Sequence, residues 1–367
     1  MAYDGIVSSC FEFLDLLSRL DEIDKRIVNF IFREGRCTLK QLQRVFKYTE
    51  LEKRLDELCR QNIIFKYKFL NFEFYELNLK TRKLYYYERF PAGPVIPLIY
   101  HFNLLSDKNR FEGLKRAIES IVSEGDVVLD VGCGTGVLSI LAAKKGAKVF
   151  AVEVDPIVAE SAEYFIRNSG FRDKIFLFQG DIRDLEFDAK FDVIICEMLD
   201  TALIAELQVP VMNLVVGKYK KESTKILPMK AYTYAQPIYK DYGFDGLEFR
   251  LIHYEEYGAK ESVRNLGPKI LYHVADFRRY NEEEVDVEVV MNCAHDGIVN
   301  GIRITTETEM MPGYVVKGSA WFNPPLVLPV EDIKVNRGDK LIFKLSYGLG
   351  RGFTNISYML KEHIRGG

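Results

Sequence analysis

VVLDVGCGTGVLSI, residues 127–140, is the stretch whose reading decides the fold. An apolar, β-branched run ends at Asp130, three glycines follow at alternate positions (Gly132, Gly134, Gly136), and a second apolar run begins at Val137. The first run predicts a buried strand and the second a helix. The glycines between them allow a sharp turn and a close approach of the backbone to a ligand. Outward from this stretch the alternation continues through LSILAAKKG, KVFAVEVD, VAESAEYFIRNSG, KIFLFQGDI and FDVIIC. Strand, helix and strand in that order predict a doubly wound parallel sheet over residues 81–224, with its ligand outside the carboxyl ends of the strands. Glu153, at the end of the strand after the glycine loop, stands where it can accept from both hydroxyls of a ribose.

The totals set the frame. With 48% hydrophobic residues, 28% charged residues and a net charge of −3, the 367-residue chain has the composition of a soluble protein of two or three domains. It has no uninterrupted apolar run of about 18 residues, and MAYDGIVSSCFEFLDLL carries acids where a signal peptide starts basic. A cytoplasmic protein without a membrane partner is expected. Six cysteines, Cys10 among them, form no CxxC pair and five histidines no HxxxH spacing, which argues against a metal site and a disulfide framework.

Two further segments flank the predicted sheet. In residues 1–80, Ile23, Ile27, Val28 and Ile31 form one helical stripe, and Leu51, Leu55 and Leu58 form another. A short helix capped by Thr38 lies between them, and NIIFKYKFLNFEFYELN alternates around a turn at Asn71. Three helices and a hairpin predict a winged-helix-like domain. Its charge permits RNA or DNA contact without requiring it, and a protein-docking module is the equal alternative. Residues 225–367 change to alternating β segments, with Val285, Val287 and Val289 on one face, and predict an antiparallel sheet or barrel. Within it, the aromatic and acidic stretch 242–258 has the look of a protruding arm.

The glycine spacing narrows the ligand. A dinucleotide site has GxGxxG, whereas here the third glycine comes one residue early, and Asp130 would repel a phosphate while suiting an ammonium. On these residues the chain resembles the class I S-adenosylmethionine-dependent methyltransferases, a Rossmann-like α/β fold. The resemblance implies S-adenosylmethionine as the methyl donor, S-adenosylhomocysteine as the product and no metal. It places the methionine end on Asp130, Gly132, Gly134 and Gly136, and the ribose on Glu153. In FQGDIRDLEF, Asp181 would accept from the adenine amine, with Ile182 against the ring; a strand-end cap is the alternative for Asp181.

CEMLDTALIAEL, residues 196–207, puts Glu197 and Glu206 nine positions apart. On one straight helix they would face opposite ways, so they converge only if the chain doubles back. Two glutamates at this spacing, directly after the fourth strand, resemble the double-glutamate hairpin of the protein arginine methyltransferases. The resemblance implies that they hold a guanidinium by paired charge-assisted hydrogen bonds. IYHFNLLSDKNRFEGLKRAI is similar to the family's Asp-x-x-Arg helix, so that Arg110 would pair the methionine carboxylate. Trp321, in GSAWF, falls where the family has its Thr-His-Trp loop, and with Met198 it would line the substrate pocket. The resemblance implies that the arm packs on the nucleotide domain of a second subunit, and so a homodimer.

Departures from the family pattern bear on the acceptor. Ala320 stands in place of the His before Trp321, Met198 and Asp200 stand where Trp and Gly are commoner, and the N-terminal domain is added. Three readings follow: an arginine-type methyltransferase acting on a protein, the same chemistry on RNA or a nucleoprotein held by the N-terminal domain, and a noncatalytic S-adenosylmethionine-binding regulator.

Overall fold

The computed structural model describes residues 20–34, 36–69, 72–78, 96, 98–255 and 263–366. The chain divides into two compact units, one of Met1–His101 with Val122–Phe191 and the other of Phe102–Ile121 with Asp192–Gly367.

The first unit opens with α1 (Glu22–Glu34), β1 (Arg36–Thr38), α2 (Leu39–Val45), α3 (Leu51–Arg60), β2 (Ile64–Phe69) and β3 (Phe72–Leu77). The strands form an antiparallel sheet in the order β1-β3-β2. The turn expected at Asn71 and the stretch containing Cys10 lie outside the described residues. The apolar stripes have a common core, in which Ile27, Val28, Ile31, Leu51, Leu55 and Leu58 meet Tyr75 and Leu77. Thr38 starts α2 through a capping box, accepting from the Gln41 N–H while the Gln41 side chain accepts from its own N–H.

Two helices, α4 (Leu98–Ser106) and α5 (Lys108–Ile121), precede the strand–loop–helix stretch. That stretch folds as β4 (Val127–Val131), α6 (Val137–Lys144), β5 (Lys148–Glu153), α7 (Pro156–Asn168) and β6 (Ile175–Gln179). β5 lies between β4 and β6, and all three are parallel. Their burial on both faces explains the near-continuous apolar runs. Asp155 caps α7 by accepting from the Ile157 and Val158 N–H groups, with Pro156 at the first helical position.

β6 ends the sheet on its side. Its open edge is met by a buried cation from the N-terminal sheet. Arg36 donates through Nε and Nη2 to one Glu76 oxygen at 2.9 and 2.7 Å, and through Nη2 to the Leu177 carbonyl of β6 at 2.9 Å. Its guanidinium lies 3.5 and 3.4 Å from the ring centres of Phe176 and Phe178. The N-terminal sheet is thus fastened to the nucleotide-fold strands by charge, hydrogen bonds and aromatic faces together.

The second unit contains the chain after β7 (Phe191–Cys196): a 3-10 turn at Thr201–Leu203, α8 (Gln208–Tyr219) and β8 (Lys220–Leu227), which neighbours β7. Antiparallel strands follow. β9 (Lys230–Tyr239) is central, and a small hairpin of β10 (Gly243–Phe244) and β11 (Leu247–Glu248) projects after it. Next come β12 (His253–Tyr254), β13 (Arg264–Asn265), β14 (Ile270–Asp276), β15 (Glu284–Asn292), β16 (Gly297–Met311), β17 (Tyr314–Val316), β18 (Leu326–Val335), β19 (Lys340–Gly348) and β20 (Ser357–Ile364). β9, β16 and β18 form the middle of a seven-stranded sheet, while β15, β19 and β20 form a second sheet, so that the segment is barrel-like. Val285 and Val289 are buried with Val287 half-buried on the same face, as period-2 patterning requires. Of the expected arm, residues 256–258 lie outside the described residues; Phe244, Leu247, Phe249 and Leu251 are exposed.

Arg36→Ala should cost about 3–5 kcal/mol in urea unfolding, the usual consequence of leaving a buried carboxylate, here Glu76, without its partner. An unchanged midpoint would show that the pair carries no such weight.

Candidate functional site

In the first unit the site is built around the loop between β4 and α6. Gly132, Gly134 and Gly136 have φ of +69°, +57° and +79°, a left-handed region that costs side-chain-bearing residues energy. The Gly134 N–H donates to the Glu153 carboxylate at 2.9 Å, and the Asp155 N–H donates to its other oxygen at 2.8 Å. Burial pushes Glu153 up to about 7 against these two stabilising bonds. Asp130 is buried and accepts from the Ser139 hydroxyl at 2.6 Å.

His101 closes over the loop: its ring Cε1 and Nδ1 lie 3.0 and 3.1 Å from where a Cβ on Gly134 would stand. The sequence offers only a negative signal for it, a histidine without ligand spacing, because the contact depends on how α4 returns over the loop. Asp181 caps the 3-10 turn Ile182–Asp184, accepting from the Arg183 N–H, and its carboxylate pairs with the Arg183 guanidinium at 2.5 Å. Ile182 is buried.

In the second unit the chain reverses between Glu197 and Glu206. Glu197 follows β7 and accepts from Arg110 Nη2, while Arg110 Nη1 donates to the Leu104 carbonyl. Arg110 Nε is buried and has no partner among the described residues. Ala202 and Leu203, in the turn, both have positive φ, +63° and +58°. The strain is offset by bonds from the Ala202 N–H to Thr306 Oγ1 at 2.8 Å and from the Gly350 N–H to the Leu203 carbonyl at 2.9 Å. Glu206 is pushed up to about 8, first by burial and then by the carboxylates of Asp200 and Glu197, with Arg110 acting in the other direction.

The Met198 N–H donates to Gln208 Oε1 at 2.8 Å. Trp321 leaves 43% of its surface exposed, and its N–H donates to Asp107 at 3.2 Å. The same Asp107 oxygen accepts from the Ser319 hydroxyl at 2.5 Å. A hydroxyl and a backbone N–H thus satisfy the acid beside Ala320. Among the described residues no group of three or more His, Cys, Asp or Glu could hold a metal ion.

Known proteins are similar to this chain. Residues 114–226 match the family model of ribosomal protein L11 methyltransferase (PrmA). Over 262 residues the chain is 36% identical to the uncharacterized protein MJ1452 of Methanocaldococcus jannaschii, covering 71% of this chain and 96% of that one, so the two form one family. It is 37% identical over 142 residues to the probable protein arginine N-methyltransferase 6 of Arabidopsis thaliana, a match of 38% of this chain and 32% of that enzyme's length. In fold it is similar to the Trypanosoma brucei PRMT1 enzyme-prozyme heterotetrameric complex with AdoHcy, with a TM-score of 0.59 and 20% identity over 72% of this chain and 98% of that one.

The chain belongs to the S-adenosylmethionine-dependent methyltransferases that resemble the protein arginine methyltransferases.

The methyltransferase carries three acids pushed above the carboxylate range, Glu153 to about 7, Asp200 to about 6 and Glu206 to about 8. Each is raised above its ordinary value, 4.5 for Glu and 3.8 for Asp, chiefly by burial. The folded state therefore binds more protons than the unfolded one across this window, and stability falls as pH rises from about 4 through about 8. Urea midpoints from pH 5 to 8.5 should fall in the wild type. In Glu206→Gln the fall should shrink by at least about 1 kcal/mol, since one unit of displacement is worth about 1.4. Equal slopes in the two proteins would contradict the assignment.

Proposed function

We propose that this methyltransferase transfers a methyl group to the guanidinium of an arginine in a protein substrate. The observation that carries the reading is the pair Glu197 and Glu206, two half-buried acids at the ends of one chain reversal, with Arg110 against the first. S-adenosylmethionine, when bound, supplies an electrophilic methyl on a sulfonium. The chain's own part is to hold and orient. Glu153, held by two backbone donors, accepts from the ribose hydroxyls; Asp130 accepts from the ammonium; and Gly132, Gly134 and Gly136 let the backbone come close. Asp181 accepts from the adenine amine with Ile182 on the ring, and Arg110 Nε is the donor left for the methionine carboxylate. Glu197 and Glu206 hold the guanidinium and draw its charge to one side, which leaves a nitrogen free to attack. Met198 and Trp321 line the acceptor's path.

The N-terminal module is read as a winged helix that docks protein rather than nucleic acid. Each cation of α3 is paired with an acid: Lys53 with Glu50, Arg54 with Asp21 and Asp24, and Arg60 with Glu57. Phosphate contacts need cations free to release counterions. A noncatalytic regulator would have no use for Glu206, whose burial beside two other carboxylates costs stability.

Glu197→Gln and Glu206→Gln should each cut turnover about 100-fold or more, while calorimetric affinity for S-adenosylhomocysteine barely changes. Because both orient one group, the double variant should be scarcely worse than the poorer single one. Methylated nucleoside as product, with Glu206→Gln fully active, would replace this reading by the nucleic-acid one.

The exposed apolar arm residues Phe244, Leu247, Phe249 and Leu251 call for a cover, and Ile157, Tyr164 and Phe165 of α7 are exposed as well. We read the arm as packing on α7 of a second copy. Sedimentation at micromolar concentration should show a dimer, and Phe244→Glu with Leu247→Glu a monomer. A monomeric, fully active wild type would reject this.

A further inference from the structure

Between Glu197 and Glu206, and just beyond them, stand two buried polar side chains that do for the backbone what a neighbouring strand or a helix cap would do. Asp200 lies at the start of the turn. Its Oδ2 accepts from the Ile204 and Ala205 N–H groups at 3.1 and 2.9 Å, and its Oδ1 accepts from the Glu206 N–H at 3.2 Å. Three consecutive backbone donors thus converge on one carboxylate, and the last belongs to Glu206 itself. Gln208 opens α8 and is fully buried. Its Nε2 donates to the Cys196 carbonyl at 2.8 Å, and its Oε1 accepts from the Met198 N–H at 2.8 Å. In extended chain the carbonyl of one residue and the N–H two residues later face the same side. One carboxamide therefore grips the peptide planes on both sides of Glu197.

We propose that Asp200 and Gln208 are positioning residues that fix the backbone at Glu206 and at Glu197 and so set the separation of the two carboxylates. What that separation serves rests on the guanidinium reading above; the fixing itself does not. The turn shows why such devices are needed. Two non-glycine residues in the left-handed region, Ala202 and Leu203, store strain that an unbraced loop would release. Asp200 also carries charge. With Glu197 it opposes ionisation of Glu206, while Arg110 of α5 favours it, and Tyr254 of β12 is itself pushed up by burial and by Asp200 and Glu206. Asparagine at 200 keeps an acceptor but removes the charge, whereas alanine removes both, so the two variants separate geometry from electrostatics.

The test uses the full chain, with hydrogen exchange read at single amides and the Glu206 carboxyl followed by carbon-13 resonance, assigned through Glu206→Gln. Asp200→Ala should speed exchange at Ile204, Ala205 and Glu206 about tenfold or more and leave the amides of β4 to β6 unchanged. Asp200→Asn should restore part of that protection, and Glu206 should titrate at lower pH than in the wild type in both variants. Gln208→Met, close in volume, should speed exchange at Met198. Unchanged exchange at 204–206 in Asp200→Ala, or at Met198 in Gln208→Met, would overturn the positioning role; unchanged titration of Glu206 in Asp200→Asn would overturn the effect of the Asp200 charge. Should Asp200→Ala fail to fold, Asp200→Asn and Gln208→Met carry the same two readouts. N-methylguanidinium added to the wild type should shift the Glu206 resonance. No shift would defeat the guanidinium reading while the amides still judge the positioning.

Discussion

A buried carboxylate held by backbone N–H groups is the interaction on which the glycine loop of the first unit and the turn before α8 of the second each depend. Glu153 takes the N–H of Gly134 at the tip of the glycine loop and that of Asp155 at the head of α7. Asp200 takes three in a row before α8. In each case a turn with left-handed residues would leave donors unsatisfied in the interior, and an acid collects them. The acid remains partly uncompensated by charge, which is why burial raises it. Such groups cost stability and gain rigidity, a trade expected where a ligand must be met by a preformed backbone.

What the sequence made legible was local. Strand, glycine loop and helix follow from one period change within fourteen residues, and Glu153 follows from its place at the end of the next strand. The stripes Ile27–Ile31 and Leu51–Leu58 identify a packed face without any knowledge of its partner. From the spacing of Glu197 and Glu206 the sequence showed only that no single helix face holds both. Polar pairs far apart in sequence stayed hidden. Arg36 meets Glu76 forty residues away and Leu177 a further hundred on, and no periodicity encodes that meeting. Asp200 was visible as an extra acid, but its use depends on the turn it braces. Gln208 gave the faint signal of a polar residue at the head of the apolar helix QVPVMNLVV, and His101 gave none.

The departures at the acceptor side have physical counterparts. Where an imidazole is absent beside Trp321, Asp107 is satisfied by the Ser319 hydroxyl, the Trp321 N–H and the Arg110 N–H at the start of α5. The acid therefore serves as a tie between a helix and a barrel loop and needs no titrating partner. Where glycine is commoner, Asp200 replaces backbone freedom by a brace. These substitutions change which groups hold the turn and the barrel loop while leaving the two glutamates in place.

The central claim is that this methyltransferase marks arginine in protein, and the destination of the methyl group tests it most directly. Tritiated S-adenosylmethionine and the full chain, incubated with a lysate, should leave label that survives ribonuclease, is released by protease and appears on hydrolysis as methylated arginine. Label released by ribonuclease and recovered as methylated nucleoside would contradict the account.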